Sequence, residues 1–240
     1  MSRSSAEDDE ERAHRLTEMR ERIKAFKAFV GESQRNELAL VTDPIFRFSD
    51  PARTFSDGTI WAWGEKGRPA ALITIERYET FWSYELVSLT TGQLQVTRPD
   101  GVRWSPSQPG VDLKPMPDAP TPAERESARL RQMRDIARRF ALSETFREET
   151  YELRLLPNPA HRYSDDDDGL VDGALFVYAY GTNPETVLVV EARGAPSGAA
   201  SWQYGFVRLT AAAVSAKIGD TLAWSVEPWV RPTYTNFQLP

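Results

Sequence analysis

Apolar residues near the start of the chain recur at the spacing of a helix face. They predict a helix over about residues 6–30. The residues of this face are Leu16, Met19, Ile23, Phe26 and Val30. A second face of the same kind predicts a helix over about residues 121–141, where Thr121 is the expected N-cap and Glu124 completes a capping box.

Strand patterns follow each predicted helix. Residues 70–75 and 186–190 are apolar at consecutive positions, which is typical of central strands covered on both faces. Residues 82–86 and 202–206 alternate between large apolar and smaller or polar side chains, which indicates half-buried strands. The order of patterns therefore predicts a helix followed by several strands, twice.

Individual residues also match between the two halves. Matched strings include Arg15-Leu16-x-x-Met19-Arg20 with Arg129-Leu130-x-x-Met133-Arg134, Asp57-Gly58 with Asp172-Gly173, and Trp82-x-Tyr84 with Trp202-x-Tyr204. Such self-similarity is typical of a duplicated unit. We therefore expect an α+β fold, a tandem duplication of a helix followed by about five mostly antiparallel strands, with the two repeats packed in pseudo-twofold symmetry.

A proline-rich connector separates the two halves. Residues 106–122 hold six prolines, which favours a stiff, extended segment. The predicted domains are residues 1–117, with the connector from about residue 106, and residues 118–240, with a C-terminal tail. Each Asp-Gly pair, at residues 57–58 and 172–173, reads as turn chemistry before a strand.

Composition and charge narrow the classes of partner. The net charge is −6 and the pI about 5.2, which argues against a nucleic-acid partner because nucleic acids attract basic surfaces. No apolar run approaches the roughly 20 residues that span a bilayer, and the polar N-terminus is unlike a secretory signal. We expect a soluble protein, cytoplasmic or periplasmic, that does not insert into a membrane. Its expected partner is a small molecule or a protein, and the sequence does not predict the oligomeric state.

Cysteine is absent and histidine occurs twice. Thiol catalysis, iron–sulfur clusters and Cys-rich zinc sites are therefore excluded, and no cofactor is expected. The run of Asp165 to Asp168 before Gly169 makes Asp165, Asp166 and Asp168 weak metal candidates. An EF-hand needs a bidentate Glu at its last position, where this chain has Leu175, so a solvated acidic loop is the favoured interpretation.

Residues that match between the halves are the weak candidates for a site. Four carboxylates are candidate acids or bases: Glu76, Glu191, Asp57 and Asp172. Six further residues are candidate ligand contacts: Arg47, Trp82, Tyr84, Arg162, Trp202 and Tyr204. The four aromatic residues among them are candidates for the lining of a pocket at the interface between the repeats. A structural role is favoured for both groups, because Arg–carboxylate pairs commonly fix loops and alternating aromatics commonly form the core.

Several strings resemble an uncharacterised family of proteins common in planctomycete bacteria. They are Arg129-Leu130-Arg131-Gln132-Met133-Arg134, Glu152-Leu153-Arg154-Leu155-Leu156, Asp172-Gly173-Ala174-Leu175-Phe176-Val177-Tyr178 and Trp202-Gln203-Tyr204-Gly205. The resemblance covers about residues 40 to 227 and implies no activity or catalytic residue. Many relatives carry export signals, which imply a location in the cell envelope. The polar N-terminus of this chain differs from those signals.

The leading hypothesis is a non-catalytic binding or scaffold protein, because the chain has no recognisable nucleophile or metal motif. One alternative is a hydrolase that uses the four carboxylates named above. The other alternative is a small-ligand-binding protein whose pocket lies at the interface between the repeats.

Overall fold

Antiparallel sheet dominates the structure. The computed structural model describes residues 5–31, 36–50, 55–195, 198–229 and 233–239. Within these ranges strands account for 52% of the residues and helices for 14%. The two helices of the described ranges are α1, Ser5–Lys24, and α2, Glu126–Ala137.

The first half of the chain contributes short strands and a compact meander. Its strands are β1 Lys27–Val30, β2 Asn36–Glu37, β3 Phe46–Asp50, β4 Phe55–Trp63, β5 Ala71–Tyr78, β6 Trp82–Ser88, β7 Leu94–Thr97, β8 Arg103–Trp104 and β9 Lys114–Pro115. The second half contributes longer strands. They are β10 Phe140–Phe146, β11 Glu149–Leu155, β12 His161–Asp165, β13 Leu170–Tyr180, β14 Asn183–Ala195, β15 Gly198–Arg208, β16 Ala213–Ile218, β17 Thr221–Val226 and β18 Tyr234–Leu239.

The described strands form three sheets. A four-stranded sheet has the order β2-β1-β7-β8, and a five-stranded sheet has the order β18-β6-β5-β4-β3. The nine-stranded sheet runs β17-β16-β10-β11-β13-β14-β15-β9, with β12 beside β13. Eight of its strands curl into a half-barrel.

The expected fold class is wrong. The part of the chain before the connector supplies most strands of two separate sheets, whereas the part after it supplies most strands of one large curled sheet. A tandem duplication of a helix and about five strands is therefore not supported. Matching residues in the two halves indicate similar local preferences for helix or strand. The arrangement of strands in a sheet depends on pairing between distant segments, which those matches do not specify.

Strand exchange complicates the predicted division of the chain. β9, which precedes the boundary near residue 118, pairs with β15, and β18 from the end of the sequence pairs with β6. The boundary itself stays a prediction. Each part of the chain nevertheless supplies an edge strand to the sheet of the other part.

Three apolar cores lie between the layers. α1 packs on one face of the five-stranded sheet through Met19 and Ile23. The opposite face of that sheet packs against the nine-stranded sheet, with Leu72 and Val189 among the contacting residues. α2 packs on the concave side of the curled nine-stranded sheet, because strands from both ends of that sheet contribute residues to the core around α2. The layers are thus helix, sheet, sheet and helix.

Both helices are shorter than predicted. α1 ends at Lys24, and Phe26 is a buried core residue just before β1, whereas Val30 lies at the end of that strand. α2 begins at Glu126, and its N-cap residue makes no side-chain capping bond. The expected capping box is therefore absent there. Gln132 replaces it, since its side chain accepts from the Ala123 amide and donates to the Thr121 carbonyl, both at 2.9 Å.

The two Asp-Gly pairs lie inside strands rather than in turns. Gly58 is opposite Phe48, and Gly173 is opposite Tyr163. A Cβ at Gly173 would come within 2.4 Å of the Tyr163 ring, and one at Gly58 within 2.6 Å of the Phe48 ring. Glycine is needed at these strand positions because an aromatic ring from the neighbouring strand covers the backbone.

Candidate ligand-binding site

A carboxylate stands at a core-facing position of β10. Phe140 and Leu142 point into the core that surrounds α2, and strand alternation brings Glu144 to the same face. Its residue surface is only 3% exposed. A buried carboxyl group in place of an apolar residue breaks the strand pattern, and such breaks are expected at functional or strained sites.

Glu144 lines a pocket of about 440 Å³ at one end of the curled sheet. The other lining residues are Phe146, Tyr151, Tyr180, Thr210, Ala211 and Ala212. The lining residues that the structure describes are therefore mostly apolar or aromatic, and one of them is a carboxylate. Ligand pockets typically combine apolar walls with a few placed polar groups.

The strands align the aromatic walls. Tyr151 lies directly across from Glu144 in the β10–β11 pair. Tyr180 ends β13 two residues beyond Tyr178, whose hydroxyl donates to the Ala137 carbonyl at the end of α2, 2.6 Å away. The rings of Tyr151 and Tyr180 are tilted by 47° with their centroids 4.7 Å apart. The core around α2 thus extends as far as Tyr178, and the next ring on that face borders the pocket.

The β10–β11 hairpin supplies a third ring. Arg147 and Glu148 form its tip with φ angles of 50° and 71°, the left-handed values that a type I′ hairpin turn requires. This turn follows Phe146, which is 47% exposed. Neither tip residue is Gly, so the tight connection is kept at some conformational cost.

Acidic groups set the electrostatics of the pocket. The Tyr151 hydroxyl donates to the Glu149 carboxylate. This bond, then burial, then the negative charges of Glu149, Tyr180 and Glu144 raise the pKa of Tyr151 above its ordinary value. The bond to Glu149 is the main cause of this raised pKa.

A buried arginine fixes the far wall. Arg208 is almost fully buried, and its guanidinium donates to the carbonyls of Thr210 at 2.5 Å, of Ala212, and of Glu227 at 2.9 Å. The Trp229 amide donates to the Ala211 carbonyl at 3.0 Å. The segment 210–212 is therefore tied down from two directions, as a preformed pocket requires.

Behind this wall lies a buried cluster of charged residues. The Tyr234 hydroxyl donates to Glu85 at 2.5 Å. Burial, followed by the charge of Glu76, raises the pKa of Glu85 well above its ordinary value, and the bond from Tyr234 and the charge of Arg208 oppose this rise. Within β14, the side-chain amide of Asn183 donates to the Glu185 carboxylate at 2.8 Å. The Arg208 guanidinium lies over the Tyr234 ring, 5.4 Å from its centroid, and this contact joins β18 to the sheet that carries the pocket.

The predicted aspartates are held by arginines from a helix and a strand. Asp57 accepts from Arg15 of α1 at 3.1 Å and from Arg47 of β3 at 2.8 Å. Asp172 accepts from Arg129 of α2 at 2.7 Å and from Arg162 of β12 at 2.9 Å. A polar cavity of about 460 Å³ borders this second cluster, whose charged groups already bond one another. Both clusters fasten a helix to its sheet.

The predicted glutamates lie between the sheets. Glu191 is fully buried, accepts from the Tyr163 hydroxyl at 2.9 Å and from Arg193 at 2.7 Å, and lies 3.5 Å from Arg68. Glu76 is buried and lies 3.3 Å from the Tyr78 hydroxyl, which donates to it. Glu191 is therefore charge-compensated. A catalytic role of these four carboxylates stays a prediction.

The predicted aromatic ligand contacts lie in the cores. Trp82, Tyr84, Trp202 and Tyr204 are all buried. Trp82 packs against the guanidinium of Arg22, 4.3 Å from the ring centroid. The structure does not bring these rings together in one pocket, since Trp82 and Tyr84 pack around α1 and the other two pack around α2.

Three aspartates of the acidic run pair with two neighbouring cations. Asp166–Asp168 form a 3-10 turn, and Asp165 accepts from the Asp167 amide at 3.2 Å. Lys66 pairs with Asp165 at 3.1 Å, and Arg193 pairs with Asp168 at 3.0 Å. Within the described ranges there is no group of three or more potential metal-ligating side chains. The run acts as a link between β12, β14 and the loop that carries Lys66.

Sequence reasoning missed Glu144, Tyr151 and Tyr180. The strand Phe140–Phe146 carries the signal, because its alternate positions are Phe, Leu, Glu and Phe. The prediction of a helix as far as residue 141 hid that alternation.

Comparisons with known proteins identify no relative: no protein-family model, no curated protein and no solved structure matches the chain. The resemblance to planctomycete proteins therefore stays a prediction. Neither helix in the described part of the chain is long and apolar enough to cross a membrane.

Proposed function

We propose that the protein is a non-catalytic binding protein that takes a small amphipathic ligand in the pocket at the end of the curled sheet. The observation that carries this proposal is a preformed recess of about 440 Å³ with aromatic walls and one buried carboxylate. A recess of this size matches the range of small-molecule sites. Phe146 and Tyr180 are exposed, and a ligand that covered them would remove their apolar surface from water.

Rigid surroundings support binding rather than turnover. Arg208 and Trp229 hold the segment 210–212, and the hairpin turn at Arg147 sets the position of Phe146. A pocket that is already formed loses little conformational freedom when a ligand enters. Among the lining residues that the structure describes there is no Ser, Cys, His or Lys, and Thr210 is the one aliphatic hydroxyl.

A carboxylate-dependent hydrolase is the alternative function. Asp57 and Asp172 are each bonded to two arginines, and Glu191 to Tyr163 and Arg193. These contacts engage the carboxylates with neighbouring side chains, which favours a structural role over acid–base chemistry.

Ligand-observed NMR tests the binding proposal with two probes, 2-phenylethanol and phenethylamine. We expect saturation transfer from the protein to at least one probe, and loss of that transfer in the double variant Tyr151→Ala, Tyr180→Ala. Leu222→Ala is the matched control, because Leu222 is 56% exposed on β17 and does not line the pocket. Absence of transfer to both probes, or equal transfer in the double variant, would reject the proposed site.

A further inference from the structure

Exposed aromatic side chains collect at the end of the curled sheet that holds the recess. In the described part of the chain four large apolar side chains are exposed, and three of them are Phe146, Tyr180 and Trp229. Phe146 and Tyr180 line the recess, and the Trp229 amide donates to the carbonyl of Ala211, a residue of the recess wall. Exposed aromatic surface that is concentrated in one place marks an interaction site.

The backbone at each of these rings is held in a defined conformation. Phe146 ends β10 directly before the hairpin turn described above, and Tyr180 directly precedes Gly181, whose φ is 60°. Trp229 itself has a φ of 61°, which is unfavourable for a bulky residue and persists only where neighbouring bonds impose it. The bond from its amide to Ala211 is one such constraint. A partner that packs against these rings therefore orders little additional backbone.

The polar groups of the recess suit a ligand that carries hydroxyl groups. Thr210 Oγ1 accepts from the Ala212 amide at 3.2 Å, so its O–H is able to donate to a ligand. The Tyr151 hydroxyl donates to Glu149, so its oxygen is able to accept from a ligand. A ligand hydroxyl both donates and accepts, and it therefore matches a recess that offers a donor and an acceptor.

The charge beside the recess favours an uncharged partner. Phe146 is followed by Arg147, Glu148 and Glu149, one basic and two acidic residues, so the tip of this hairpin is negative in sum. The whole chain is also acidic, with a net charge of −6. Acidic polymers and anionic lipid surfaces are repelled by negative charge, whereas a neutral sugar is not.

We propose, on the basis of the function proposed above, that the recess and its aromatic rim bind a neutral oligosaccharide. A sugar ring has apolar C–H faces and a rim of hydroxyl groups. The C–H faces pack against the rings of Phe146, Tyr180 and Trp229, and a sugar hydroxyl bonds to Thr210 and Tyr151. The recess has the volume of a small-molecule site and holds a sugar unit, while Trp229 beside its wall contacts the part of the chain that extends outward.

Neutral oligosaccharides are the probes for this ligand class: maltotriose, cellotriose, xylotriose and tri-N-acetylchitotriose. Saturation-transfer NMR should show transfer to at least one of them, strongest at the C–H protons that pack against the aromatic rings. Transfer to 2-phenylethanol or phenethylamine without transfer to any oligosaccharide would overturn the sugar assignment and leave the binding site standing. Absence of transfer to every probe, the two phenyl compounds included, would reject the proposed function as well.

Variants of the rim test whether the sugar binds at this place. Trp229→Ala should weaken binding of the oligosaccharide by about 10-fold, the contribution of one stacked ring. Tyr180→Leu keeps an apolar side chain but removes the ring face, and it should weaken binding by a similar factor. Leu222→Ala is the matched control, because Leu222 is the remaining exposed large apolar residue, and it should leave the affinity unchanged. Equal affinity in wild type and all three variants contradicts the assignment.

Phosphatidylcholine vesicles test a lipid surface as the competing partner of the same aromatic rim. We expect the protein to stay in the supernatant when the vesicles are sedimented. Sedimentation of wild type with the vesicles, lost in Trp229→Ala and unaffected in Leu222→Ala, would overturn the sugar assignment in favour of a neutral membrane surface.

Discussion

The bond network of Asp172 joins α2 to the large sheet, so neutralising this residue is a direct test of how the layers are held. Asp172 is buried and accepts from Arg129 Nε at 2.7 Å, from Arg162 Nε at 2.9 Å and from Arg162 Nη2 at 2.6 Å. Asp172→Asn keeps the shape of the side chain but removes its charge. The two guanidinium groups then share one weaker acceptor.

The expected loss follows from the strength of these bonds and from the exposure of the partners. A hydrogen bond to a charged group contributes about 1.5–3 kcal/mol, and breaking a buried ion pair costs about 3–5 kcal/mol. Arg129 and Arg162 keep 14% and 25% of their side-chain surface exposed, so water partly replaces the lost acceptor. We therefore expect Asp172→Asn to lower the free energy of unfolding by about 2–3 kcal/mol.

Urea unfolding followed by circular dichroism measures this change. Asp135→Asn is the matched control, because Asp135 and its partner Arg138 are 61% and 60% exposed and their pair contributes about 0–1 kcal/mol. Hydrogen exchange should also show reduced protection of the α2 amides in Asp172→Asn. A loss no larger than that of Asp135→Asn would refute the claim that this cluster fastens the helix.

Two further predictions concern packing and pH. Gly173→Ala places a Cβ 2.4 Å from the buried Tyr163 ring and should lower the free energy of unfolding in urea by about 1–3 kcal/mol. The control Gly92→Ala, where the nearest atom to the new Cβ is 3.5 Å away, should change that free energy by no more than about 0.5 kcal/mol. Equal losses in the two variants would contradict the importance of the ring contact. Burial and then the charge of Glu76 raise the pKa of Glu85 well above its ordinary value of 4.5, so the folded state retains a proton that the unfolded state releases. This contribution to stability is therefore present below about pH 4.5 and is lost as pH rises through the raised pKa. Glu85→Gln should remove that part of the slope of the unfolding free energy against pH. An unchanged slope in the variant would disprove the prediction.

Local patterns predicted the middle of most major elements but not their ends. Residues 70–75 and 82–86 lie largely in β5 and β6, and residues 186–190 lie in β14, so these strand predictions are confirmed. The apolar positions Phe26 and Val30 fit a helical spacing, yet the chain leaves α1 at Lys24 and starts a strand. Helix periodicity and a short strand after a turn place apolar residues at similar intervals, so pattern alone does not separate them.

Features that depend on distant partners were out of reach. Asp57-Gly58 has the letters of a turn, but the Phe48 ring across the strand pair makes glycine necessary inside β4. The pocket likewise needs Glu144, Tyr180 and the segment 210–212 to meet, and only the curl of the sheet brings them together. Of these, Glu144 alone left a signal in the sequence, through the alternation of β10.

The pairing of β18 with β6 has a consequence for synthesis on the ribosome. Residues 234–239 emerge long after β6, so the backbone edge of β6 lacks this neighbour while most of the chain is being made. An open strand edge is a template for pairing with other chains. Nascent chains should therefore be most prone to aggregation before residue 239 is released, and the bond from Tyr234 to Glu85 would be among the last contacts to form.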